Sequence, residues 1–177
     1  ENPIFFPQEQ SYTISNSNII KIATVTKELS QGRYGEFPLY VFCEDGIWTM
    51  QQGDNGIVYS STHPISRDIA ISSKSITSID KAIVFVSTKG IHILNGSETT
   101  MISTFGLNRD DIIKDVSIEG ENNIIVSNQE YLNNFKEFIS TSQAGYNYND
   151  NEVLFLKNGY SYIFSLNLET GEWSRQQ

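Results

Sequence analysis

Three stretches of the chain share one layout, and that repeat constrains the fold more than any other feature. In Leu39-Tyr40-Val41-Phe42-Cys43-Glu44-Asp45-Gly46-Ile47-Trp48-Thr49-Met50 an apolar run meets an Asp-Gly turn and a second run opening at Ile47, which is a hairpin signal. The second copy is Ala82-Ile83-Val84-Phe85-Val86-Ser87-Thr88-Lys89-Gly90-Ile91-His92-Ile93-Leu94, followed by an Asn95-Gly96 turn and a third strand over 99–103. The third runs from Glu152-Val153-Leu154-Phe155-Leu156 through Lys157-Asn158-Gly159 into a strand over Tyr160-Ser161-Tyr162-Ile163-Phe164-Ser165-Leu166, then to Glu169-Thr170-Gly171-Glu172 and a strand opened by Trp173. The turn glycines Gly46 and Gly90 stand 44 residues apart, the period of a four-stranded propeller blade.

Gly90 and Gly159 are 69 residues apart, an excess of about 25 that falls on a segment of different character, Asn108 to Ser142. There Tyr131, Leu132, Phe135, Phe138 and Ile139 follow helical i, i+3, i+4 spacing behind Asn128, a good N-cap, and predict one amphipathic helix over 128–139. Shorter strands are expected at 19–26, 69–72, 76–79, 112–118 and 124–126, with Tyr146-Asn147-Tyr148-Asn149 as the inner strand of the third unit. The fold class is therefore all-β: about three four-stranded antiparallel propeller-like blades, near 19–68, 69–107 and 143–177, with a helical insertion over 108–142. Composition agrees, since 23 Ile against 4 Ala, with 21 aromatics, suits pleated half-buried surfaces better than helices. Three blades cannot close a ring, whose known sizes run from roughly 4 to 8 blades. The 177 residues are thus expected to be one segment of a longer protein.

Several function classes recede on composition. No apolar run approaches the roughly 20 residues of a membrane span. The single cysteine, Cys43, allows no internal disulfide, and with two histidines it cannot complete a four-ligand zinc site without carboxylates. A net charge of −9 is the wrong sign for gripping a nucleic-acid backbone, and nine acids against Lys114 and Lys136 concentrate that charge between Asp110 and Glu152.

Catalytic patterns are thin. His63 and His92 lie outside any Gly-x-Ser-x-Gly context, and His92 on an alternating strand reads as a strand side chain. Cys43 within an apolar strand reads as a buried, inert thiol. A glycosidase would need a facing carboxylate pair; Asp110, Asp111 and Asp115 are the densest group of acids, and Asp45 sits at a hairpin turn, but solvated charged loops are the expectation. Asn147-Tyr148-Asn149-Asp150-Asn151 superficially resembles a calcium loop but lacks its glycine and its closing glutamate, so a polar turn is expected. Gln31-Gly32-Arg33-Tyr34-Gly35 lacks the Lys-Ser/Thr of a phosphate loop. No catalytic residue, metal site or cofactor is assigned. Gly46, Gly90 and Gly159 are expected in equivalent structural turns. Trp48, Trp173, Tyr160 and Tyr162, on strands, are expected mainly to pack between sheets, with interface or glycan contact as the functional alternative.

Phe37-Pro38-Leu39-Tyr40-Val41-Phe42-Cys43-Glu44-Asp45-Gly46-Ile47-Trp48, followed by Tyr59-Ser60-Ser61 and Pro64-Ile65-Ser66-Arg67-Asp68, resembles the tail nozzle or stabilisation proteins of short-tailed, crAss-like bacteriophages and related prophages. Ser75-Ile76-Thr77 through Gly90-Ile91, and Gly145-Tyr146-Asn147-Tyr148 through Tyr162-Ile163-Phe164-Ser165-Leu166 with Trp173, extend the likeness over roughly the whole chain. The resemblance implies a non-enzymatic β-propeller domain in a longer virion protein, made in the bacterial host cytoplasm and built into the tail. Its implied partners are other tail proteins and copies of itself in a ring, with DNA passing nearby but not specifically bound. The acidic concentration would then ease the passage of a polyanion. The competing expectations are a carbohydrate- or receptor-binding propeller, which would use the aromatic side chains, and a propeller glycosidase.

Overall fold

The computed structural model of the chain describes residues 13–26, 37–51, 61–104 and 128–177. Twelve strands and one α-helix follow in order: β1 (Ile19–Thr24), β2 (Leu39–Cys43), β3 (Gly46–Gln51), β4 (Ser61–Ser66), β5 (Ile76–Ser78), β6 (Ile83–Val86), β7 (Gly90–Asn95), β8 (Glu98–Thr104), α1 (Asn128–Thr141), β9 (Gln143–Asn147), β10 (Glu152–Leu156), β11 (Ile163–Asn167) and β12 (Trp173–Gln176). They form three four-stranded sheets, each a sequential up-and-down meander with every neighbouring pair antiparallel. The chain is mostly β, with propeller-like repeats and, among the described residues, one short α-helix.

The sheets stack in chain order. The first strand of the middle sheet, β5, lies against β1 on one side and β9 on the other, and the outer strands β4 and β8 also meet. Alternation along β6 explains how one sheet serves two interfaces. Ile83 and Phe85 point back and join Tyr40, Phe42 and Ile47 of the first sheet. Val84 and Val86 point forward and join Val153, Phe155, Phe164 and Leu166 of the third. All four β6 residues are buried, as a strand covered on both faces must be.

The 44-residue period holds at the level of side-chain direction. Phe42 and Ile47 face forward onto the middle sheet, and their equivalents Val86 and Ile91 face forward onto the third. Val41 belongs to the opposite face of the first sheet, as Phe85 belongs to the backward face of the second. The pairing of third and fourth strands is irregular at the same step in both sheets, between Ile47 and Trp48 and between Ile91 and His92. Trp48 and His92 are thus equivalent positions.

The glycines at the second-to-third strand connections differ in conformation. Gly46 opens β3 at φ +144, and a Cβ there would run into the backbone carbonyl oxygen of Ser66, so the turn can close onto the end of β4 only without a side chain. Gly90 opens β7 and accepts from the backbone N–H of Ser87 at 2.8 Å. Gly159, at φ +86, sits earlier in a longer connection, ahead of β11.

Three expectations are corrected, and one strand had not been expected. Residues 69–72 make only an isolated bridge, Ala70 to Ser87, because Ser72 then caps a tight 3-10 turn over Ser73–Ser75. The strand expected from Tyr160 begins at Ile163, since a turn closed by Tyr160 N–H to Lys157 carbonyl (3.3 Å) occupies the start. The inner strand of the third sheet is shifted to Gln143–Asn147, because Asn147 Oδ1 takes the N–H of Asn149 and turns the chain. The unexpected strand is β4: Ser-Thr-His-Pro-Ile-Ser is polar and contains Pro64, which is tolerated here because β4 is an outer edge. The expected strands at 112–118 and 124–126, and the loop 31–35, lie outside the described residues.

The helix runs over Asn128–Thr141, and Phe135, Phe138 and Ile139 of its apolar stripe enter the core shared by the second and third sheets. Its C-terminal carbonyls are taken by hydroxyls: Thr141 Oγ1 donates to Glu137 O at 2.8 Å and Ser142 Oγ to Ile139 O at 2.8 Å.

Candidate functional site

Three groupings of polar and aromatic side chains stand out, one on each sheet. On the first, the β2–β3 turn and the end of β4 enclose a cleft of about 470 Å³ lined by Asp45, Trp48, Pro64, Ile65, Ser66 and Arg67. Pro64 is the cross-strand partner of Trp48, so the ring and the indole share one face of the sheet. Asp45 is fixed from the segment preceding β1: Ser15 Oγ donates to Oδ2 at 2.6 Å and Ser17 Oγ to Oδ1 at 2.7 Å. These two bonds, Ser15 first, hold the Asp45 carboxyl below the usual range. The indole of Trp48 is half-buried, and Arg67 is exposed. Cys43 is buried, and burial first, then the Asp45 charge, pushes its thiol up, away from the reactive thiolate.

On the middle sheet, His92 is 3% exposed and stacks on Phe85, ring centroids 5.0 Å apart at 12°. Its Nε2 lies 2.8 Å from Ser87 Oγ. Asp68, from the link between the first two sheets, pairs with Lys89 at 2.7 Å and accepts from Ser66 Oγ at 2.8 Å. Burial lowers the His92 pKa and the nearby Asp68 charge opposes that, so the ring is neutral at neutral pH. Lys89 is the first cause that lowers the pKa of Asp68. This Ser-His pair is 2% and 3% exposed, and the Ser87 hydroxyl also accepts from Lys89 N–H at 3.0 Å and Gly90 N–H at 3.3 Å. Those bonds give it the work of closing the β6–β7 turn. Sequence reading had treated His92 alone and missed Ser87; the signal was their placement on either side of one short hairpin turn.

The third grouping is aromatic. Phe138 of α1 meets Tyr160, Tyr162 and Phe164 at centroid distances of 5.1, 5.4 and 5.0 Å, and Phe135 meets Trp173 at 5.1 Å. Lys157 Nζ sits 4.9 Å from the Tyr160 ring and Arg175 Cζ 4.2 Å from that of Tyr162. Of the four aromatic residues singled out in the sequence, Tyr160, Tyr162 and Trp173 are gathered here beside the helix, and Trp48 lies apart, lining the cleft and packed against Val41, Cys43 and Met50. Tyr160 and Tyr162 precede β11 rather than lying on a strand.

The loop 147–151 is a side-chain-bonded turn, with Asn147 Nδ2 donating to Asp150 Oδ2 at 2.7 Å and Asn151 at φ 53. Among the described residues no cluster of His, Cys, Asp and Glu has the arrangement of a metal site, and no helix is long and apolar enough to cross a membrane. Asp110, Asp111 and Asp115 lie outside the described residues. The chain matches no family model and no curated protein.

Proposed function

We propose that the protein is a non-enzymatic structural module of a bacteriophage tail, of the nozzle or stabilisation type, acting through protein-protein interfaces in a ring around the DNA path. The observation that carries the scaffold part is the repeat in side-chain direction: a sheet buried on both faces by its neighbours, with equivalent residues 44 positions apart facing equivalent ways. Units of this kind cannot bury their faces alone and are stabilised by stacking, so their work is to hold extended surfaces. The phage attribution rests on the ordered motifs quoted from the sequence, and the ring is completed by sheets beyond these three. The test is immunogold electron microscopy of purified particles with an antibody raised to this chain. Label at the tail supports the assignment; particles that carry no label, from cells that make the protein, overturn it.

A second reading, a carbohydrate- or receptor-binding propeller, draws on the cleft around Trp48.

A further inference from the structure

We propose that Ser87 and His92 form a proton-operated latch: a proton added to the buried imidazole unfastens the β6–β7 turn and, with it, the link by which the first sheet is moored to the second. The inference is independent of the tail assignment.

Three attachments meet at this turn. The link that leaves β4 pairs Asp68 with Lys89 at 2.7 Å, bridges Ala70 to Ser87, and sends the Ile71 N–H to the Val86 carbonyl at 2.9 Å. The turn itself is closed by Ser87. Its backbone N–H donates to the Gly90 carbonyl at 2.8 Å, and its Oγ accepts from the Lys89 and Gly90 N–H groups at 3.0 and 3.3 Å. Next to it lies His92, stacked on Phe85, which belongs to the core shared by the first two sheets. Any change in the hydrogen bonds of Ser87 is therefore felt by the turn, the link and that core together.

Counting donors and acceptors fixes the state of the imidazole. A serine hydroxyl has one proton to give and two lone pairs to fill. The turn takes both lone pairs of Ser87 Oγ, so at the 2.8 Å contact the hydroxyl is the donor and His92 Nε2 the acceptor. The neutral ring then carries its proton on Nδ1, and Nε2 is the nitrogen left to take another. A second proton lands facing Ser87. To accept it, the hydroxyl must swing toward the Gly90 carbonyl, 3.3 Å away, and one turn N–H must leave Oγ. With Ser87 and His92 only 2% and 3% exposed, water does not stand in for the lost bond while the corner stays shut. An imidazolium and a closed turn thus exclude each other.

The surrounding charges set how readily the latch opens. Burial opposes protonation first, Asp68 favours it, and Lys89 opposes it. Of the other titratable groups on the elements around the corner, Glu44 and Asp45 of the β2–β3 turn, His63 of β4, Arg67 beyond it and Glu98 of β8 are exposed. Lys21 of β1 is committed to the Ile76 carbonyl at 2.6 Å. Asp68 and Lys89 therefore form the local balance.

The test uses the whole 177-residue chain, in which His63 is the only other histidine; His63→Gln, at an exposed position, leaves the ring signals of His92 alone. Long-range ¹H–¹⁵N correlation at about pH 8 should show Nε2 as the unprotonated nitrogen. On acidification, hydrogen exchange corrected for its intrinsic pH dependence should show Ile71, Lys89 and Gly90 losing protection together as His92 takes up its proton, before β9–β12 change. Lys89→Gln removes a mostly exposed side chain and the charge that opposes protonation, so it should move this step to higher pH by about half a unit or more. A proton on Nε2 at neutral pH overturns the proposal. So does a turn that keeps its protection through the His92 titration, a loss spread evenly over all three sheets, or a step that Lys89→Gln leaves in place.

Discussion

Trp48 and His92 occupy the same step of the same repeat, one half-buried and one fully covered, and the difference lies in what packs on the backward face of each sheet. At His92 the preceding sheet supplies Phe42, whose ring meets Phe85 edge-on at 5.4 Å, and the link supplies Asp68. The residue becomes part of an interior, where its polarity must be satisfied by Ser87. At Trp48 the preceding segment supplies hydroxyls that fix Asp45, and the half-buried indole packs on Val41, Cys43 and Met50. A repeat thus does not repeat its chemistry: the same backbone step holds a hydrogen-bonded imidazole in one sheet and an indole packed on Val41, Cys43 and Met50 in the other.

The contrast is broken most severely at the closed corner. Phe85 is fully buried and supports both the edge contact with Phe42 and the stack on His92. Phe85→Ala is expected to cost about 3–5 kcal/mol in a denaturant titration, the usual loss for a buried ring that leaves a cavity. Hydrogen exchange should accelerate in β1–β8 before β9–β12, since the forward core around Phe138 and Phe155 does not use this ring. Uniform acceleration across all three sheets would show that the interfaces are not separable.

Next in size is Gly46→Ala, at the Trp48 corner. The substitution combines a left-handed backbone with a collision against the Ser66 carbonyl, and is expected to cost about 2–4 kcal/mol. Gly171, at φ +72 but with open space around its Cβ position, separates the two causes. Gly171→Ala should lose only about 1–2 kcal/mol, the backbone part alone. Equal losses at the two glycines would mean that the turn is not seated on β4.

A smaller effect is expected where the first two sheets are tied together. Tyr40 is buried and its hydroxyl donates to the Gly96 carbonyl at 2.9 Å, so Tyr40→Phe should cost about 1–2 kcal/mol by leaving that oxygen unpaired. Burial pushes the phenol from 10.0 up to about 12. The folded state therefore holds this proton more tightly than the unfolded chain does. Stability from that difference is complete below pH 10 and is lost as pH rises toward about 12, and the alkaline loss should shrink in Tyr40→Phe.

How much of this could be read from residues alone follows from what each element rests on. The strands β2, β6 and β10 were legible because their burial comes from their own apolar runs, and the repeat was legible because Gly46 and Gly90 mark matching turns. The helix was legible through Phe135, Phe138 and Ile139. β4 was not, because a polar edge strand with a proline is ordered by the partner β3 rather than by its own pattern. The cleft was half legible: Trp48 and Asp45 were singled out on one hairpin, but Pro64 and Arg67 meet them only because β4 returns beside β3. Tyr160 and Tyr162 alternate like a strand, yet the Lys157–Tyr160 turn holds them out of β11 and the helix gathers them into a ring cluster.

The smallest expected effect distinguishes the two corners by pH. His92 is held below the ordinary histidine value of 6.5 by burial, so the unfolded chain binds its proton more readily than the folded one. Stability is then complete above that value and declines as pH falls below it, because protonation would place a charge against Phe85 in a site that only Asp68 favours and Lys89 opposes. Asp45 behaves differently. Its lowered carboxyl contributes above 3.8 and loses that contribution only as pH falls below 3.8. Thermal melts from pH 8 to pH 3 should therefore show an early decline that His92→Gln removes and a later one that Asp45→Asn reduces. The indole signal of Trp48 should move in the second window and not the first. An indole that follows the His92 titration would mean that the two corners are one coupled unit, and the contrast between them would fail.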